Sequence, residues 1–199
     1  MQQREPEASI RAAQATALAA LPFDDVDDFA AAERGFIGTL DDPKIRNDKG
    51  EVVWDASTYD FVEGDAPDSV NPSLWRQSKL VAKHGLFEVV PGLYQVRGLD
   101  LSVMSIIEGD TGVIVVDPLI SVETAAAAMA LYRRHRGDRP IHAVIHSHSH
   151  IDHFGGVLGI VGQDDVAAGK VQIIAPEGFL EHSVAENVYA GTAMGRRAR

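Results

Sequence analysis

Five of the eight histidines fall between His142 and His153, and this crowding limits the possible folds more than any other feature of the chain. Ile141 to His146 reads as an apolar strand, and His148-Ser149-His150-Ile151-Asp152-His153 follows it, ending just before Gly155-Gly156. Neutral imidazole offers a divalent metal a lone pair without first losing a proton, and an interleaved carboxylate supplies charge neutralisation. Residues two apart on an extended segment point to the same side, so His148 and His150 can grip one ion together. The following turn swings Asp152 and His153 toward a second position. Two ions so placed can share a water, lower its pKa to near neutrality and hold both the attacking and the leaving oxygen of a hydrolysis. His-x-His alone is a weak signal, whereas the full spacing after an apolar strand is demanding. His146-Ser147-His148 is also a His-x-His, but only the register starting at His148 places the Asp-His pair, which leaves His146 as a neighbour on the strand. His84, His135, His142 and His182 have no metal partner in sequence and read as surface or core residues.

A second acidic residue stands out at the end of Val113-Ile114-Val115-Val116-Asp117-Pro118. A carboxylate terminating a buried strand needs a partner, so Asp117 either orients a ligand histidine or is a turn residue before Pro118. Gly155 and Gly156 either let the backbone approach the histidine loop closely or serve a plain turn.

With no cysteine among 199 residues, there is no disulfide framework, and any metal site is built from imidazole and carboxylate. The length suits one sizeable core. A formal net charge of -11 disfavours nucleic acid and anionic membrane surfaces as partners. The two basic clusters are short: Arg133 to Arg139, which reads as the cationic end of a helix, and Arg196, Arg197 and Arg199. Met1 to Leu21 lacks the basic start, apolar core and cleavage site of a secretory signal, and no apolar run is long enough to span a bilayer. A cytoplasmic location is the default expectation.

Ser9 to Leu21 reads as an Ala-rich amphipathic helix. Leu21 to Asp68 is polar, acidic and broken by Pro22, Pro43 and Pro67, which suggests a segment that wraps over a core. Strands are expected at 87–90, 93–96, 102–108 and 113–117, separated by glycine turns at short intervals, as in an antiparallel meander. A helix over 122–136, strands at 141–146 and 171–175 and a helix over 178–189 complete an α/β layered order. The expected organisation is an N-terminal extension, 1–84, wrapping a domain over 85–199.

The loop, its Val-Asp-Pro strand end and Phe154-Gly155-Gly156 together resemble the signature of the metallo-β-lactamase superfamily. That resemblance implies an αββα sandwich with metals at the sheet edge, but it leaves the substrate open, because the fold hosts many hydrolases. Longer flanking segments narrow the choice: 64–77, Gly85-Leu86-Phe87-Glu88-Val89-Val90, Tyr94-Gln95-Val96-Arg97-Gly98, Ala175 to His182 and Glu186-Asn187-Val188-Tyr189-Ala190-Gly191 resemble alkyl sulfatases that degrade dodecyl sulfate. The resemblance implies hydrolysis of alkyl sulfate esters to alcohol and inorganic sulfate by a metal-held water, with Asp152 as a possible orienter. Two Zn2+ ions are implied, one on His148 and His150 and the other on Asp152 and His153, while Asp117 matches the superfamily's strand-end aspartate. Zinc over manganese or iron follows from the family and the ligand types. Family members run considerably further, with more ligands, a homodimerisation region and a lipid-carrier-like domain beyond the point matching Arg199. This chain is therefore expected to be an N-terminal portion. The alternatives are a truncated, non-catalytic metal-binding fragment and another hydrolase of the same superfamily.

Overall fold

The structure is a computed structural model that describes residues 5–197. It divides into two compact units, one built from the chain up to Arg34 together with Ala56–Lys83, the other from Gly35–Asp55 together with the chain from His84 onward.

In the first unit, α1 (Ala8–Ala20) buries none of its residues, and α2 (Asp27–Glu33) is short and acidic at its start. The unit's other helix begins at Asn71, whose side chain accepts hydrogen bonds from the backbone N–H groups of Ser73 and Leu74, with Pro72 opening the first turn. Both devices satisfy or remove donors that a helix start leaves unpaired. Within this unit Arg76 joins Asp28 at 3.0 Å and the Asp25 carbonyl at 2.8 Å, and its guanidinium lies 5.0 Å from the Phe29 ring centre.

The second unit starts with β1 (Phe36–Gly38), β2 (Lys44–Arg46) and β3 (Val52–Asp55), the last two pairing with each other. After α3 (Pro72–Val81) of the first unit come β4 (Gly85–Val90), β5 (Leu93–Arg97), β6 (Met104–Glu108) and β7 (Val113–Val116). Then follow α4 (Val122–Arg136), β8 (Ile141–Ile145), α5 (Gln163–Ala167), β9 (Gln172–Ile174), α6 (Phe179–Val184), a π turn over Ala185–Tyr189, and α7 (Gly191–Arg197). A seven-stranded sheet runs β1-β4-β5-β6-β7-β8-β9. The expected meander is present from β4 to β7, all antiparallel, and the α4 crossover then makes β8 parallel to β7, with β9 parallel to β8.

Alternation along the strands decides which face is covered. Tyr94 and Val96 on β5, Met104 and Ile106 on β6, and Val113 and Val115 on β7 are buried. They join Ala125, Ala128, Met129, Leu131 and Tyr132 of α4 in one core cluster. The intervening positions, such as Gln95, Ser105 and Ile107, face the other way and are half-buried or exposed, as a period of two requires.

Part of the 21–68 stretch expected to wrap over a core belongs to the second unit. Phe36 and Gly38 pair with Phe87 and Leu86 of β4, Ile45 belongs to the core cluster, and the Trp54 indole donates to the Gly98 carbonyl at 3.2 Å. Three- and four-residue strands give too short an alternation to be read from pattern alone. The helix expected over 178–189 is divided, because after Val184 the turn widens into the π form. Among the described residues, no helix is long and apolar enough to cross a membrane. Arg199 and the Arg197 side chain, from the second basic cluster, lie outside the described residues, as does the start of the expected signal-free N-terminus.

Candidate metal centre

At the C-terminal ends of the parallel strands β7 and β8 the chain leaves the sheet twice, and the two exits lie side by side. The β7 exit is strained: Asp117 and Leu119 both have positive φ, 55° and 64°, a conformation that costs about 1–3 kcal/mol per non-glycine residue. Hydrogen bonds hold Asp117 there. It accepts from the Ser147 N–H at 2.8 Å and the Ser147 hydroxyl at 2.6 Å, and it lies 2.8 Å from His153 Nδ1. Its own N–H donates to the Ile145 carbonyl at 2.9 Å.

The β8 exit carries the histidine loop, and glycines press it against the β7–α4 connection. A Cβ on Gly155 would lie 2.3 Å from the Ile120 carbonyl oxygen, and one on Gly156 would lie 2.2 Å from that of Pro118. Neither glycine has positive φ, so close backbone approach is what requires them, one of the two readings open from sequence. The Ser102 hydroxyl donates to the Asp152 carbonyl. Nearby, Asp100 is buried and accepts from the Thr124 hydroxyl and from the Ile120 N–H, fixing the start of α4. Burial pushes the Asp100 carboxyl above its usual range, against the pull of those hydrogen bonds.

The loop gathers three imidazoles. The His148 ring centre lies 4.6 Å from that of His150 and 4.1 Å from that of His153. Donor atoms of Asp117, His148 and His153 all fall within 4.8 Å of one another, close enough to converge on one ion. His153 turns Nδ1 to Asp117 and Nε2 toward Asp152 at 3.4 Å. His150 stands outside the tight cluster, with Nε2 3.0 Å from Glu186. The structure thus draws Asp117 in close among the donors and sets His150 apart.

His146 is buried, its ring stacked on Phe179 and edge-on to Phe154. Burial lowers its pKa, and its Nδ1 has no hydrogen-bond partner among the described residues. It stays off the donor cluster, as expected of a neighbour on the strand. Of the remaining histidines, His84 meets the Thr39 hydroxyl at 2.7 Å and exposed His142 meets that of Thr111 at 3.1 Å.

The donor set suits a divalent metal: imidazole beside carboxylate, with no thiolate, is the chemistry of zinc and related ions. Residues 97–197 match the family model described as the metallo-beta-lactamase superfamily. The chain belongs to the metallo-beta-lactamase superfamily. It is 57% identical over 190 residues to a linear primary-alkylsulfatase of Pseudomonas sp.. It is also 53% identical over 180 residues to an alkyl/aryl-sulfatase of Saccharomyces cerevisiae. The solved structure of the stereoselective inverting sec-alkylsulfatase Pisa1 from Pseudomonas sp. superposes with a TM-score of 0.91 at 54% identity, over 98% of this chain and 31% of that one. These alignments cover 94% and 90% of this chain but only 28% of each of the two curated relatives, so the chain spans under a third of their length. The expected superfamily fold is therefore present.

Ser147, Ser102, Asp100 and Glu186 went unassigned in sequence. Ser147 carried a signal, since it lies between the strand and His148. Glu186 belongs to the segment 186–191 that resembles alkyl sulfatases, and local pattern does not report where its carboxylate points.

Proposed function

We propose that this chain supplies the metal-binding segment of an alkylsulfatase, a metal-dependent hydrolase that converts alkyl sulfate esters such as dodecyl sulfate to the alcohol and inorganic sulfate. The observation that carries the reading is the gathering of the His148, His150 and His153 rings, with Asp152 beside His153, in a chain 57% identical to a primary-alkylsulfatase over 94% of its length. In this reading two zinc ions are held, one by His148 and His150 and the other by Asp152 and His153. Asp117 accepts from His153 Nδ1 and leaves Nε2 to face the metal, the usual arrangement behind a ligand imidazole. When bound, the ions supply Lewis acidity toward the sulfate oxygens and acidify a water to near-neutral pKa.

The chain's own residues do the rest. The histidine rings fix the donor positions, and the glycine contacts lock the loop to the β7–α4 connection. Asp152 is the candidate to orient the attacking water. An anionic sulfate ester would be accepted where bound cations offset the carboxylates of Asp117 and Asp152. A non-catalytic role as a single-ion binder is the second reading, favoured by the compactness of the Asp117-His148-His153 cluster.

Zinc content by mass spectrometry and sulfate release from dodecyl sulfate discriminate between these readings, measured on the parent and on H148A. Close to two zinc ions with turnover, both lost in H148A, supports the sulfatase. One tightly held ion without turnover supports the single-ion reading. Sulfate release unaffected by H148A would sink the proposal.

A further inference from the structure

The proposed metal centre leaves one carboxylate unexplained. Glu186 lies in the π turn Ala185–Tyr189, a wide turn of a kind that recurs at functional sites. Its Oε1 is 3.0 Å from His150 Nε2, and the Ser149 hydroxyl donates to its Oε2 at 3.4 Å. On the far side of the turn, the Asn187 amide donates to the Ser183 carbonyl at 2.9 Å, tying Glu186's neighbour back to α6. The carboxylate therefore reaches the histidine loop from a different part of the chain and grips two consecutive loop residues.

We infer that Glu186 is a positioning residue for His150, accepting a hydrogen bond from Nε2–H so that Nδ1 is left to present its lone pair to a metal ion. This rests on the reading of the loop as a metal centre. A neutral imidazole carries its proton on one nitrogen only, and a carboxylate beside that nitrogen fixes which one and raises the basicity of the other. His153 shows the opposite choice, because Asp117 holds its Nδ1 at 2.8 Å and leaves Nε2 turned toward Asp152, its partner ligand in this reading. Two carboxylates thus sort two neighbouring rings into opposite tautomers, and the two donor atoms can approach the site from different directions. Glu186 stands outside the cluster of Asp117, His148 and His153, which favours a role through His150 over direct ligation.

The test is a zinc competition titration against a chromophoric chelator, with the His150 ring nitrogens followed by 15N NMR, on the parent, E186A, E186D, E186Q and H148A. E186A is expected to weaken zinc binding about 10–100-fold, the usual effect of losing the partner behind a ligand imidazole. E186D keeps the charge but shortens the reach and should resemble E186A. E186Q keeps an acceptor oxygen and should stay within roughly a few-fold of the parent, with His150 still protonated at Nε2. If E186A does not fold, the contrast of E186D with E186Q and the His150 tautomer decide the matter. Parent-like affinity in E186A and E186D overturns the inference. Equal large losses in E186A and E186Q also overturn it, since they mark Glu186 as a ligand itself. Zinc binding indifferent to H148A removes the metal centre and this inference with it, whereas loss in H148A alone removes only the role of Glu186.

Discussion

The two ends of the central sheet each hold carboxylates facing nitrogen bases, and they do opposite things with them. At the end where β6 meets β7, Glu108 accepts from Arg136 Nε and Nη2 at 3.0 and 3.1 Å and from the Tyr132 hydroxyl at 2.7 Å, with Arg139 at 3.6 Å. Those guanidiniums are permanently charged, and Arg136 also caps the Tyr94 ring at 4.8 Å. At the other end, Asp117 and Glu186 face imidazoles, whose ring nitrogens can each donate a hydrogen bond or offer a lone pair. Helix α4 spans the distance, from its Ser121 capping box beside the histidine loop to its basic last turn beside Glu108. The backbone is strained at Asp117 and Leu119, next to the loop. A carboxylate saturated by fixed cations has finished its chemistry. One that fixes the tautomer of a histidine leaves a donor atom open for a ligand.

Several substitutions should separate these ends. His153→Ala removes the ring shared by Asp117 and the donor cluster, and we expect zinc affinity to fall by about 100-fold or more, measured by competition titration. Affinity close to the parent's would mean the loop is not the metal centre. Gly156→Ala forces a Cβ to within 2.2 Å of the Pro118 carbonyl oxygen. Overpacking of this kind costs about 1–3 kcal/mol, to be read from denaturant unfolding of the metal-free chain, and should loosen zinc binding as the loop shifts.

Glu108→Gln should lower stability by about 1–3 kcal/mol while leaving zinc affinity unchanged, and a loss of zinc would erase the contrast between the two ends. Hydrogen bonds from Arg136 and Tyr132 hold the Glu108 pKa below its ordinary value of 4.5. Its stabilisation is therefore complete above pH 4.5 and lost as pH falls through the depressed folded value. The stability gap between parent and Glu108→Gln should narrow below that pH. Smallest of all, Arg134→Ala breaks an exposed pair with Asp41 and should change stability by less than about 1 kcal/mol.

How far the site could be read in advance depended on where its parts lie in the chain. His148, His150, Asp152 and His153 sit within six residues, so local spacing was enough to nominate them. The span of α4 was legible for the same reason: alanines fill it and arginines close it, and the structure adds the Ser121 capping box and the Gly137 C-cap. Asp117 was ambiguous, because a turn before Pro118 and an orienting carboxylate look alike until His153 is placed 2.8 Å away. Ser147 and Glu186 act through contacts that cross 30 and 36 residues of chain, and no periodicity reports such distances.

What the sequence determined by itself was the chemistry available: imidazole and carboxylate donors at metal-ligand spacing after an apolar strand, on an acidic chain without cysteine. Local residue types and short spacings carry that information, because a ligand's electronic character is intrinsic to its side chain. Only the tertiary structure decided which nitrogen of each ring meets a carboxylate, Nδ1 of His153 beside Asp117 and Nε2 of His150 beside Glu186. Tautomer choice depends on an acceptor within about 3 Å, and here the acceptors, Asp117 and Glu186, are brought in by the ends of a different strand and a different helix.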